Sequence, residues 1–281
     1  MSYTSIADMA NAIRTNLWKV PDDVQLIVGV PRSGMMAALM VGEFLHKPVI
    51  DLQGYLLSRE PMCGSRGKHM RKGHGRVLVL DDTLYTGRSM DAVRKQIGMR
   101  DQVLYGCVYA EGKDATEKVD VWFENDYNPD EPLWHLYEWN ILHHGEKLST
   151  RTMFDMDGVL CAEPPDERNR AAYEAYIANA RPMVVPTTKI GAIVTFRKEQ
   201  YRAITEAWLQ RHGIVYGQLV MAGNDSVRSE SEAAAFKAQQ YRAAKWAMLF
   251  VESSARQAEK IASATGKQVW CYNNGKMYGE S

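Results

Sequence analysis

The chain has 281 residues, 46% of them hydrophobic, which is material for two domains of ordinary size, each with its own core. Its 34 basic and 34 acidic residues cancel, so no general electrostatic pull toward nucleic acid or an anionic membrane exists, and any polyanion must be held locally. No apolar run approaches the ~20 residues of a membrane span, and no signal peptide is expected ahead of the amphipathic start.

Ile6, Met9, Ala10, Ile13 and Leu17 recur at helical spacing. Apolar strands at 24–30, 49–52, 77–80 and 103–109 then alternate with helices at 34–45 and 89–99. This alternation predicts a doubly wound parallel sheet, whose ligands bind beyond the carboxyl ends of the strands. The strand at 24–30 ends in the tight turn Pro31-Arg-Ser-Gly34, and 59–76 is an aperiodic basic segment with six Lys/Arg and a single Glu. The strand at 77–80 runs into Asp81 and Asp82 and then Thr83-Leu-Tyr-Thr-Gly-Arg-Ser89. Two carboxylates at a strand end can accept hydrogen bonds from vicinal ribose hydroxyls or steer a hydrated Mg²⁺. The turn adds backbone N–H groups, the hydroxyls of Thr83, Thr86 and Ser89, and a helix amino end, all suited to a phosphate dianion. Gly87 lets the backbone come close and take a positive φ.

The run from Leu78 to Met90 resembles the phosphoribosyl pyrophosphate (PRPP) signature of type I phosphoribosyltransferases. That resemblance implies a PRPP site built from Asp81, Asp82, Thr83, Thr86, Gly87, Arg88 and Ser89. The segment 25–34 is similar to the family's pyrophosphate loop, in which Arg32 would supply charge while Ser33, Gly34 and the following amides cradle the leaving group. By the same resemblance, 59–76 is a catalytic loop closing over PRPP with Lys68, Arg71 and Lys72 as phosphate contacts; its plain reading is a solvated basic loop. The aromatic stretch at 119–144 would hold the base, with Trp134, Tyr137 and Trp139 as stacking candidates or as core packing. Tyr85 stands where hypoxanthine–guanine enzymes usually place an Asp, and the local string resembles pyrimidine-linked members. A pyrimidine or modified base is favoured.

A polar stretch at 143–151 sets a boundary between domains 1–148 and 149–281. Beyond it, a short apolar strand meets Asp155-Met-Asp-Gly158, which places Asp155 and Asp157 at one strand end where both can address a single phosphoryl group. A strand at 190–195 ends in Thr195, and a helix at 198–212 stops at Gly213. A helix follows at 230–246 and a strand at 248–254. The run 151–160 resembles the first motif of the haloacid dehalogenase (HAD) superfamily of phosphatases. The resemblance implies Asp155 as nucleophile, Asp157 as general acid and then base, Thr195 on the phosphate and Lys237, with Lys245 as rival, as the third-motif lysine. It also implies Mg²⁺ held by Asp155, Asp157 and Glu252. The chain departs from many members in carrying Ser253 and Ser254 after Glu252, which leaves a weak metal site or a degenerate phosphatase as alternatives. About thirty residues between Cys161 and Lys189 leave room only for a small cap, with Tyr173 and Tyr176 on its helix.

The expected fold is therefore α/β, two doubly wound parallel-sheet domains in series, and the whole resembles fusions of a phosphoribosyltransferase with a HAD phosphatase. Such a fusion implies PRPP-dependent ribosylation of a nitrogenous base followed by Mg²⁺-dependent 5′-dephosphorylation of the product. The alternative is a stand-alone HAD phosphatase whose N-terminal domain senses PRPP or nucleotide and binds RNA through the 66–76 loop. Expected partners are PRPP, a nucleobase and a nucleoside monophosphate, with a homodimer admitted, no membrane, and nucleic acid disfavoured. Cys63, Cys107, Cys161 and Cys271 lack a Cys-x-x-Cys pair, so neither a zinc site nor a disulfide framework is indicated, and a reducing cytoplasm is the expected compartment.

Overall fold

A computed structural model of the chain describes residues 2–61, 75–99, 102–128, 135–143, 146–164, 170–226 and 229–279. Lys68, Arg71, Lys72, Cys63 and Trp134 lie outside the described residues. The chain divides into two compact units, Ile6–Trp134 and a second formed by Met1–Ser5 with His135–Ser281.

The strand β1 (Ser2–Thr4) belongs to the second unit; the first begins with α1 (Ile6–Thr15), whose Met9, Ala12 and Ile13 are buried. Five strands follow, β2 (Val24–Gly29), β3 (Val49–Asp51), β4 (Arg76–Leu84), β5 (Val103–Ala110) and β6 (Val121–Asn125), with α2 (Gly34–Leu45), α3 (Leu52–Leu56) and α4 (Arg88–Ile97) between them. They form one parallel sheet in the order β3-β2-β4-β5-β6. The chain moves outward to β3 on one side of β2 and to β4 on the other. The crevice where such an order reverses is where ligands settle in open α/β sheets, and it lies between the carboxyl ends of β2 and β4.

β4 is longer than the expected 77–80. Its pairing with β2 stops at Gly29–Leu80, but β5 goes on pairing through Asp81–Cys107, Thr83–Tyr109 and Leu84–Ala110. Asp81 and Asp82 therefore sit inside a strand that has lost one neighbour, which frees one edge beside them. Cys107 on β5 is buried, as is Cys271 in the second unit.

The second unit has a six-stranded sheet. Its strands are β8 (Thr152–Phe154), β9 (Ile190–Lys198), β10 (Tyr216–Ala222), β11 (Leu249–Glu252), β12 (Val269–Cys271) and β13 (Lys276–Tyr278), in the order β10-β9-β8-β11-β12-β13. All neighbours are parallel except β13, which runs antiparallel to β12. Helices α5 (Glu146–Ser149), α6 (Arg170–Asn179), α7 (Arg202–Arg211), α8 (Glu230–Ala243) and α9 (Ala255–Thr265) complete it. Ser229 and Ser254 cap α8 and α9 by accepting from Glu232 N and Gln257 N. Separately, β1 pairs in parallel with β7 (His135–Tyr137), and Trp270 Nε1 donates to the Tyr3 hydroxyl at 3.1 Å. These contacts carry residues 2–5 and 135–148 into the second unit, whereas composition placed the boundary at 148/149.

Phe250 on β11 is fully buried, against Tyr241 of α8 with ring centroids 5.5 Å apart. Phe250→Ala should remove about 3–5 kcal/mol from the second unit, read as a lowered urea midpoint.

Candidate functional site

In the first unit, Asp81 and Asp82 are 8% and 4% exposed, and Asp82 N–H donates to Asp81 Oδ1 at 3.0 Å. Gly34, the first residue of α2, lies directly against Asp81. A Cβ built on it would stand 2.8 Å from Asp81 Oδ1, 2.8 Å from Leu80 O and 2.9 Å from Asp81 Cα, so only glycine permits this approach. The two expected motifs, about fifty residues apart in sequence, are thus brought into contact. Burial, and next to it the charge of Asp82, push Asp81 up to about 8, with a hydrogen bond from Ser89 acting in the opposite direction.

Gly87 has φ 83° and caps α4, as the turn required. A Cβ there would lie 3.0 Å from Lys118 Cδ. Lys118 Nζ donates to Thr86 O at 3.1 Å, and Arg94 Nη2 donates to Lys118 O at 2.6 Å, so a lysine that no motif marked braces the turn. Arg32, Tyr85, Thr86, Arg88 and Ser89 are exposed, while Ser33 and Thr83 are half-buried. Tyr137 and Trp139, candidates for base stacking or for core packing, belong to the second unit, with Tyr137 stacked on His135 at 4.4 Å and tilted against Trp139 at 4.7 Å.

In the second unit the carboxyl ends of β8, β9 and β11 meet the first turns of α8 and α9. Lys237 of α8 is buried and donates to Asp155 Oδ2 at 2.7 Å, to Glu252 Oε2 at 2.7 Å and to Gln257 Oε1 at 3.1 Å. An ammonium has three protons, and all three have acceptors here. Lys245, the rival, is exposed beyond the end of α8. Burial raises Asp155 well above the ordinary carboxylate range, the charge of Glu252 adds to this, and Lys237 opposes it. Thr195 is 1% exposed on β9.

Asp157 is placed differently from its neighbours. Arg197 grips it with Nη2 at 2.5 Å from Oδ1 and Nε at 3.1 Å from Oδ2, and the Tyr176 hydroxyl donates to Oδ1 at 2.9 Å. Burial alone would raise its pKa; the Arg197 guanidinium outweighs burial and holds it below the ordinary value. Arg197, Gln257 and Glu163 were not foreseen. A signal for Arg197 existed, since β9 alternates and places residues 195 and 197 on the same face. Gln257 and Glu163 carry no such local pattern.

The expected Mg²⁺ set is not assembled. Asp155 Oδ1 accepts from Met156 N at 2.8 Å, Glu252 Oε1 accepts from Ser253 N at 2.9 Å and Ser254 N at 3.1 Å, and the remaining oxygens of both turn to Lys237. Asp157 faces Arg197. Among the described residues no group of three His, Cys, Asp or Glu is disposed to hold a metal ion. These residues do not fit Mg²⁺ as a three-carboxylate site, because lysine is the cation between Asp155 and Glu252. A cavity of about 440 Å³ opens over this cluster, with Asp155, Thr195 and Lys237 at its buried end and Ser229, Ser254 and Gln257 around it.

No family model and no curated protein matches the sequence. Solved structures that resemble its N-terminal half include phosphoribosyltransferases. A purine phosphoribosyltransferase from Pyrococcus horikoshii is 18% identical with a TM-score of 0.34, covering 49% of this chain and 92% of its own. A xanthine-guanine-hypoxanthine phosphoribosyltransferase from Helicobacter pylori is 17% identical with a TM-score of 0.36, covering 50% and 93%. An APRTase from Giardia lamblia, complexed with 9-deazaadenine, is 13% identical with a TM-score of 0.28, covering 43% and 80%. Likeness at this level assigns neither activity nor ligand to the chain.

Two predictions follow from the charges. The folded pKa of Asp81, about 8, lies above its unfolded value, so its contribution to stability is full at low pH and is lost as pH rises through about 8. Asp81→Asn should lack this decline, and denaturation of both proteins from roughly pH 5 to 8 measures it. Lys237→Met leaves Asp155 and Glu252 buried without their cation, which should destabilise the second unit by about 3–5 kcal/mol at neutral pH in calorimetry.

Proposed function

We propose that the protein is bifunctional, transferring the ribose 5-phosphate of PRPP to a nitrogenous base in its first unit and removing a 5′-phosphate in its second. The contact of Gly34 with Asp81 supports the first half, because it sets a pyrophosphate-type turn against a ribose-binding acidic pair at the sheet's switch point. The second half rests on the Asp155–Lys237–Glu252 cluster beneath an open cavity, the observation that carries the phosphatase reading.

In the first unit the ribose hydroxyls donate to Asp81 and Asp82, and the 5′-phosphate settles on the amides of the turn 83–89. The bond from C1 to pyrophosphate breaks as the base nitrogen bonds to C1, and the pyrophosphate leaves toward Arg32, Ser33 and the first amides of α2. Asp81 or Asp82, together with the phosphate oxygens of PRPP, would hold a Mg²⁺ ion in the all-oxygen set it favours, and the ion would offset the charge of the leaving group. The exposed Tyr85 offers no carboxylate for proton exchange with a purine ring, which favours a pyrimidine or modified base.

In the second unit an Asp155 oxygen attacks phosphorus as the ribosyl oxygen leaves, protonated by water at the open end of the cavity; a second water then attacks the aspartyl-phosphate, gives its proton to Asp157 and releases phosphate, restoring Asp155. Lys237 keeps Asp155 oriented and lowers the cost of its charge. Asp157, ionised against Arg197, is prepared as the base for that water, and its use as the acid of the first step is opposed by the same ion pair. Hydrolysis of the product draws the reversible transfer forward.

With PRPP, Mg²⁺ and a suitable base, the wild-type protein should accumulate the dephosphorylated ribosyl product, and Asp155→Asn its 5′-monophosphate. Mass spectrometry separates the two by one phosphate. A variant that makes no monophosphate from any base, beside a wild type that still releases phosphate from nucleotides, would leave the first unit as a binding module only.

A further inference from the structure

We infer that the Asp155 cavity accepts one phosphoryl group on a neutral, hydroxyl-bearing body and rejects diphosphates, triphosphates and nucleic-acid ends, with Glu163 and Glu230 setting that selectivity. The inference rests on the phosphatase reading of Asp155 and adds the substrate class to it.

The two serines that follow Glu252 each donate to a glutamate from a different element. Ser253 Oγ donates to Glu163 Oε1 at 3.0 Å, in the segment after β8, and Ser254 Oγ donates to Glu230 Oε1 at 3.1 Å, at the start of α8. The backbone makes room for the first pair. Gly158 has φ 80°, and a Cβ there would lie 2.2 Å from Glu163 Oε1 and 2.6 Å from Ser253 Cβ. Glu163 therefore stands over the Asp155-x-Asp157-Gly158 turn itself. Both glutamates line the cavity and both are exposed, whereas Asp155, Thr195 and Lys237 are buried. They mark the solvent end of the cavity, and the reacting groups mark its inner end.

Charge at the two ends differs accordingly. Lys237 and Arg197 are the basic side chains among the described lining residues, and both are committed, Lys237 to three acceptors and Arg197 to Asp157. A first phosphoryl group at the inner end meets the Thr195 hydroxyl and the amino end of α9. A second phosphate, farther out, would lie beside two carboxylates with no described lining cation to offset it. Arg256, 83% exposed and outside the lining, stands 3.8 Å from Glu230 as a loose ion-pair partner, so the repulsion is weaker there than beside Glu163. A sugar hydroxyl in the same place donates to the glutamates. Phosphate repulsion and hydroxyl acceptance are thus two effects of the same pair of side chains.

Hydrolysis of an aryl phosphate by the full chain, inhibited by uridine mono- or diphosphate, tests this. In the wild type the diphosphate should inhibit at least about tenfold more weakly than the monophosphate, and added salt should narrow the gap by screening. The combined change Glu163→Gln and Glu230→Gln should close the gap about tenfold, through the inhibition constant of the diphosphate. Equal inhibition by the two nucleotides in the wild type, or a gap indifferent to both salt and the double substitution, overturns the inference while leaving the phosphatase standing. Absence of aryl phosphate hydrolysis by the wild type overturns the phosphatase reading and the inference with it.

Discussion

The second unit depends on one buried ammonium. Lys237 joins Asp155 at the end of β8 to Glu252 at the end of β11, and Gln257 from α9 takes its third proton. Removing a lysine and two carboxylates from water is costly, and their attraction compensates only when the geometry is close and no proton or lone pair is stranded. That condition aligns two parallel strands and two helices at one point. It also explains why Glu252 is completely buried and still fully hydrogen-bonded, with the amides of Ser253 and Ser254 on its other oxygen.

The two units place acidic residues at the same kind of position and treat them in opposite ways. In the second unit the protein supplies the counter-charges, Lys237 for Asp155 and Glu252, and Arg197 for Asp157. In the first, Asp81 and Asp82 share a hydrogen bond with each other and stay close together in a buried strand, so Asp81 is pushed up.

Local chemistry was legible in the order of residues. An apolar run followed by Asp81-Asp82 or by Asp155-x-Asp157-Gly158 declares a strand end with carboxylates, because the side-chain alternation and the turn requirements act over a few residues. The need for Gly87 to take a positive φ was likewise readable. The length of β4 was not, since it is set by how far β5 continues to pair after β2 has stopped.

By itself, then, the sequence determined two α/β units, the strand ends that carry acidic residues, and a choice between Lys237 and Lys245. Tertiary structure decided that Lys237 reaches Asp155 across 82 positions of chain, that Arg197 takes Asp157 across 40, and that Ser253 meets Glu163 across 90. It also returned residues 2–5 to the second unit through β1 and β7. The reason is one of range: alternation, capping and turn geometry are properties of adjacent residues, whereas which charges share a buried space depends on strand register and helix rotation, which the whole fold settles together.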